Sequence, residues 1–225
     1  MADPGLSGRE VVVFGATGAL GAGVAAAFAD AGAVVVGVNR VVPPAERQLS
    51  GISYETVDVL DDAAVAALLE ARPAPWAVIN TVGGFAPRRP LAELDPAELN
   101  AQLQLNLVSA AIITKIALDV MLPAGGGRIV HTASRAGTVN AGYGFAHSVS
   151  KVGVLHLVST AAYEVRGTGI TVNCVVPSII DTPANRASMP DADHESWPKV
   201  SDIASSYVYL ASPDSHLVNG AAIPV

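Results

Sequence analysis

Ser134, His147 and Lys151 are the side chains whose types and spacing point most directly to chemistry. His147 and Lys151 are four residues apart in a stretch, 146–166, whose pattern predicts a helix, so they share one helical face. A free imidazole titrates at about 6.5, and a neighbouring ammonium disfavours a second cation, so His147 is expected to be neutral at pH 7. A neutral imidazole is a good base and a poor acid. It suits accepting a proton during alcohol oxidation, isomerisation, elimination or cyclisation. It is less suited to protonating the alkoxide that carbonyl reduction makes.

A second constellation lies near the amino end. Gly15, Gly18 and Gly21 sit between an apolar strand, 11–14, and a helix, 19–31, with Thr17 and Leu20 in the same turn. Glycines there let the backbone turn tightly and approach a pyrophosphate resting on the helix amino terminus. The next strand, 34–38, ends on Asn39-Arg40. An acidic residue at that point would bind the adenosine ribose and select NAD(H). A cation stands there instead, which favours NADP(H) over NAD(H).

These residues need a scaffold, and the rest of the chain reads as one. Strands are expected at 54–57, 76–79, 128–131, 170–176 and 221–225, and helices at about 61–71, 96–122 and 201–211. The 96–122 helix, kinked or in two pieces, begins with Asp95 as cap and Pro96 in the first helical position. Strict alternation of strand and helix implies a single α/β domain over residues 1–225, a Rossmann-like, doubly wound parallel sheet with helices on both faces. The irregular stretch 177–199 follows a strand's carboxyl end, where such sheets place ligands, and is read as a substrate loop reaching to about 200.

Composition agrees with this class. The chain of 225 residues is 51% hydrophobic but only 5% aromatic, as suits parallel strands of Val and Ile under Ala-rich helices. A net charge of −7 and the absence of a basic cluster argue against nucleic acid and anionic membrane as partners. The apolar runs are short and interrupted, and the first ten residues do not read as a signal peptide. One cysteine, Cys174, fits a buried strand and a reducing cytoplasm.

Taken in order, these motifs resemble the short-chain dehydrogenase/reductase family over nearly the whole chain. The segment from Asp181 through Met189-Pro190 to Trp197 is similar to the dihydropteridine reductase-like branch, although that branch lacks a residue like Ser134. The resemblance implies an NADP(H)-dependent oxidoreductase acting on a small cyclic or aromatic carbonyl or alcohol, assembled as a homodimer or homotetramer. It assigns Asp58 and Val59 to the adenine, Asn80 and Gly83 to the loop under the cofactor, and Pro177, Ile180 and Thr182 to the nicotinamide. It gives Lys151 the nicotinamide ribose, Ser134 the substrate oxygen and Asn106 a proton-relay water.

Where the family carries a catalytic Tyr, thirteen residues after the Ser and four before the Lys, this chain has His147. Tyr143 lies four residues earlier and is kept open as a second acid or a pocket wall. Two alternatives also stay open: a reductase scaffold turned to non-redox base chemistry as a cyclase, isomerase or dehydratase, and a cofactor-binding protein without turnover. Among the other histidines, His131 is read as structural or lining the cofactor site, and His194 as a structural or substrate contact in the loop. With His156 and His216, they form no metal-ligand pattern.

Overall fold

Seven parallel strands form one sheet in the order β3-β2-β1-β4-β5-β6-β7. They are β1 (Glu10–Phe14), β2 (Val34–Asn39), β3 (Ile52–Thr56), β4 (Ala77–Asn80), β5 (Gly127–Thr132), β6 (Ile170–Val176) and β7 (Ala222–Pro224). The computed structural model describes residues 4–85, 89–139, 142 and 144–225. Tyr143 lies outside the described residues.

The sheet is built outward from its middle. The chain runs from β1 to the β3 edge, then returns to lay β4 on the other side of β1. That reversal opens a crevice beyond the carboxyl ends of β1 and β4, where doubly wound sheets bind ligands. The central strands are apolar on both faces because helices cover both. Helices α1 (Ala19–Asp30) and α7 (Val200–Ala211) bury Val11, Val13, Phe28 and Tyr207 on one side. Helices α2 (Asp62–Glu70), α4 (Ser109–Ala124) and α5 (Phe145–Glu164) bury Val12, Phe14, Val78, Ile113 and Val158 on the other.

Local chemistry sets the helix starts. The Asp61 carboxylate accepts from Ala64 N at 3.0 Å, and that of Asp95 from Ala97 N at 2.8 Å ahead of α3 (Pro96–Leu103). The expected helix over 96–122 is continuous to Ala124, but its α3 and α4 portions are joined by a π-helical turn, Gln104–Val108. By length and composition this segment is apolar enough to cross a membrane. In this fold its Ala110, Ile113, Ala117 and Met121 are buried in the core beside the sheet.

Two expectations need correction. Strand β3 starts at Ile52, not at 54, because Gly51 (φ 78°) completes the preceding turn and releases the chain into the sheet edge. The stretch 177–199 is not wholly irregular. It contains α6 (Pro183–Ser188), whose Thr182 cap accepts from Asn185 N at 3.2 Å. Thr182-Pro183 is the same cap-then-proline signal as Asp95-Pro96.

Candidate active site

The turn after β1 is shaped by contacts that leave no room for side chains. Gly15 has φ 85°, and a Cβ on it would come within 2.7 Å of Thr81 Oγ1 and 2.9 Å of Val82 N. A Cβ on Gly21 would collide with the Gly15 carbonyl. Gly18 caps α1 without any side-chain hydrogen bond, which leaves the first helical amides facing the crevice. An uncapped helix amino terminus behind close-packed glycines fits a pyrophosphate. Thr17 N donates to Asn39 Oδ1 at 2.9 Å, tying this turn to the end of β2. Leu20 is half-buried on α1 and Arg40 is exposed just past β2. Asp58 is also exposed, and its carboxylate accepts from Leu60 N at 3.0 Å, while Val59 is buried in the core.

The β4 exit is rigid from within. Asn80 is buried, with Nδ2 donating to His131 Nδ1 at 3.2 Å and Oδ1 accepting from Val82 N at 2.9 Å. His131 completes the support through Thr114 Oγ1 at 2.8 Å. Since Thr114 gives its hydroxyl hydrogen to Ala110 O at 2.7 Å, the His131 ring donates from Nε2 and accepts at Nδ1. Burial, then the charge of Lys151, pushes His131 down to about 4. It is fully buried and supports the β4 exit through both ring nitrogens.

Helix α5 brings His147 and Lys151 to the carboxyl ends of β4 and β5. Lys151 is buried, and its Nζ donates to Thr132 O at 2.8 Å. No carboxylate pairs with it among the described residues, and burial pushes it down to about 8. One of its three N–H groups is committed to Thr132, which leaves donors for the hydroxyls of a ribose. Gly83 makes the approach possible: a Cβ there would lie 2.8 Å from Asn106 Oδ1 and 3.1 Å from Lys151 Nζ.

His147 is 7% exposed, and its Nδ1 lies 3.0 Å from the Gly84 carbonyl oxygen. A carbonyl only accepts, so Nδ1 carries the proton and Nε2 holds the lone pair. Burial, then Lys151, pushes the imidazole down to about 4, against a smaller upward pull from the Gly84 hydrogen bond. The Phe85 ring leans on it at 5.0 Å and 59°.

Ser134 closes the end of β5. Its Oγ accepts from Ala136 N at 3.2 Å, which caps a short turn, Arg135–Gly137, and leaves its O–H as a donor. That turn packs down on α5, since a Cβ on Gly137 would lie 3.1 Å from the Lys151 carbonyl carbon. Arg135 N donates to Pro177 O at 3.0 Å, so the start of the 177–199 stretch is fastened beside Ser134.

The loop is held by its own side chains. Asn185 Nδ2 donates to Ile180 O at 2.8 Å, and Arg186 pairs with Asp181 through two bonds of 2.6 and 2.9 Å. His194 donates from Nε2 to Met189 O at 2.7 Å and packs on Trp197, which is a structural use of this histidine.

Asn106 is buried where the loop after β4 meets α5. Its Oδ1 accepts from Gly84 N at 3.0 Å, and its Nδ2 faces Gly84 O at 3.2 Å, Gln102 Oε1 at 3.0 Å and Ser150 Oγ at 3.0 Å. The side chain is therefore held from the loop after β4, from its own helix and from α5. Sequence reasoning placed Gly84 in the segment under the cofactor without this role, and passed over Phe85, Gln102 and Ser150. The doubled glycine at 83–84 was the available signal, since a second glycine has a reason of its own there: a Cβ on Gly84 would lie 2.7 Å from Leu105 Cδ2.

A family model described as enoyl-(acyl carrier protein) reductase matches residues 15–225. Cis-4-hydroxycyclohexanecarboxylate dehydrogenase of Sinomonas cyclohexanicum is 32% identical, over 96% of this chain and 94% of that protein. D-threitol dehydrogenase of Mycolicibacterium smegmatis is 28% identical, over 98% and 92%. A solved short-chain type dehydrogenase/reductase from Mycobacterium ulcerans aligns with a TM-score of 0.89 at 26% identity, covering 98% of this chain and 89% of that one.

Proposed function

The chain belongs to the short-chain dehydrogenase/reductase family of oxidoreductases, and we propose that it oxidises a secondary alcohol on a small cyclic substrate, with His147 as the proton acceptor and NADP(H) as the preferred cofactor. The carrying observation is the His147–Gly84 hydrogen bond, which leaves Nε2 as an acceptor. The hydroxycyclohexane ring named for the Sinomonas relative supports a cyclic alcohol as the substrate class.

Bound dinucleotide supplies the hydride acceptor. The glycine turn and the α1 amides would hold its pyrophosphate, and Asn39 and Arg40 the adenosine ribose, with Arg40 meeting a 2′-phosphate. Asp58 and Val59 would meet the adenine, Asn80 and Gly83 would support the loop beneath, Lys151 would hold the nicotinamide ribose, and Pro177, Ile180 and Thr182 would meet the ring. Ser134 donates its O–H to the substrate oxygen. As the C–H hydride leaves the carbinol carbon, the O–H proton passes to His147 Nε2 and a carbonyl forms. Burial makes the imidazole a weak base. The Gly84 carbonyl offsets part of this by stabilising the imidazolium as it develops. The similarity of 181–197 to the dihydropteridine reductase-like branch, and pairing into a homodimer or homotetramer, belong to this proposal.

Fluorescence titration with NADPH and NADH tests it, with tighter NADPH binding expected. Failure to bind either dinucleotide contradicts the reading. A second reading, non-redox proton abstraction by the same Nε2, rests on the same lone pair. Substrate turnover with no change in nicotinamide absorbance would favour it.

A further inference from the structure

The polar groups around His147 form a closed ring. Starting from the imidazole, Nδ1 donates to Gly84 O; the Gly84 unit is held by the Asn106 amide; Asn106 Nδ2 donates to Ser150 Oγ; and Ser150 Oγ donates to the backbone carbonyl of His147 itself at 2.7 Å. Asn106, Ser150 and His147 are 1%, 0% and 7% exposed, so water does not compete for these bonds.

We propose that Asn106 is a positioning residue that sets the tautomer of His147 by fixing the Gly84 carbonyl. The imidazole has two neutral forms, and only the one with its proton on Nδ1 presents a lone pair at Nε2. What selects that form is the direction of one carbonyl. The loop carrying it, at residues 81–85, has no regular secondary structure of its own. Its direction comes from Asn106, whose two amide groups grip the peptide units on both sides of the Gly84 Cα: Oδ1 takes the N–H of the 83–84 peptide, and Nδ2 meets the carbonyl of the 84–85 peptide.

The π-helical turn explains why Asn106 is available for this. The turn Gln104–Val108 widens the helix, and within it Asn106 is the buried residue, directed at Gly84, Gln102 and Ser150. Single π-helical turns inside α-helices are frequent at functional sites. Gln102, also buried at 7%, steadies the same amide from one turn earlier. With Asn106 removed, the Gly84 unit loses both bonds to that amide, and only His147 is left to hold its carbonyl in place. Where that carbonyl turns away, Nδ1–H would be buried without an acceptor, and the proton would gain by moving to Nε2.

The catalytic meaning of this inference rests on the proposed role of His147, but the tautomer does not, because it is read on protein alone. Protein with 15N-labelled histidine, without dinucleotide or substrate, is studied at pH 7 by long-range proton–nitrogen NMR, with His147→Gln giving the assignment. The expected wild-type spectrum has His147 Nδ1 of the protonated type and Nε2 of the unprotonated type. In Asn106→Ala the two signals are expected to move toward each other as the Nε2–H form becomes populated. Alcohol oxidation by Asn106→Ala is expected to fall by about 100-fold in kcat, the scale of a misplaced catalytic group.

Ser150→Ala, which cuts the tie between Asn106 and α5, is expected to shift the signals less and in the same direction. It serves as the test if Asn106→Ala does not fold. A wild-type Nε2–H tautomer overturns the inference, as does an unchanged Nδ1–H tautomer in Asn106→Ala with only lowered thermal stability, or in Ser150→Ala where that variant stands in. The expected tautomers in a protein with no dehydrogenase turnover uphold it and contradict the functional reading instead.

Discussion

His147 Nδ1 and the Gly84 carbonyl oxygen are 3.0 Å apart, and this contact leaves Nε2 as the unprotonated nitrogen of the neutral imidazole. The donor side points into the protein and the acceptor side is left for a substrate proton. Helix α5 supplies the ring, and the loop after β4 supplies the carbonyl.

Replacing the imidazole should separate binding from chemistry. His147→Ala is expected to lower alcohol oxidation by about 100- to 10,000-fold, the usual contribution of a positioned acid or base. Dinucleotide affinity, measured by fluorescence titration, should change little, because Lys151 and the glycine turn remain. Activity that survives unchanged means His147 is not the proton acceptor.

The pH dependence of activity should be set by two groups. His147 is held down at about 4, so it is already a neutral base above pH 5 and gives no limb near neutrality. Lys151 is held down at about 8, so its charge is lost as the pH rises through that value. Oxidation rates are expected to be flat from about pH 5.5 to 7.5 and to fall above 8. Lys151→Arg keeps the charge at all these pH values and should abolish the alkaline limb in whatever activity it retains. A wild-type rate that climbs steadily to pH 10 contradicts this assignment.

Folding stability should fall on the acid side. In the unfolded chain His131 and His147 return to 6.5, whereas folded they stay neutral down to about 4. Between those values the unfolded chain binds more protons than the folded one, so acid favours unfolding. Their contribution is fully present above pH 6.5 and is lost as the pH falls toward 4, on the order of 3 kcal/mol for each residue. Denaturant melts at pH 7 and pH 4.5 should show the loss, and His147→Gln should reduce it.

The dinucleotide end gives two contrasting variants. Gly21→Ala drives a methyl group into the Gly15 carbonyl, and overpacking of this kind costs roughly 1–3 kcal/mol. It should lower the melting temperature and abolish binding of both dinucleotides. Arg40→Ala, at an exposed site, should leave stability unchanged and weaken NADPH by about 10- to 100-fold, the scale of a charge-assisted hydrogen bond, while sparing NADH. Equal loss for the two dinucleotides would remove the argument for a phosphate contact.

Much of this was legible in the sequence because it follows from local rules. The Gly15–Gly18–Gly21 spacing, the Asp95-Pro96 cap and the alternation of strand and helix each have a local physical cause, and together they specify a parallel sheet with a crevice. The partners of Asn106 were not legible. Gln102 lies one turn earlier on the same helix, but Gly84 and Ser150 come from two distant segments, and no pattern along the chain announces that these meet. The tautomer of His147 was hidden for the same reason, since it depends on a backbone carbonyl 63 residues away. The ring contacts of His131 and His194 were hidden likewise, since only the folded chain brings Asn80 and Thr114 to the one and Met189 O to the other.

The most direct test is single-turnover oxidation of a panel of small cyclic secondary alcohols by dinucleotide-saturated enzyme, followed through nicotinamide absorbance for wild type and His147→Ala. The predicted result is stoichiometric reduction of the nicotinamide by wild type, with equal dinucleotide binding but almost no hydride transfer in the variant. Conversion of an alcohol without any absorbance change, or an undiminished rate in His147→Ala, would contradict the account.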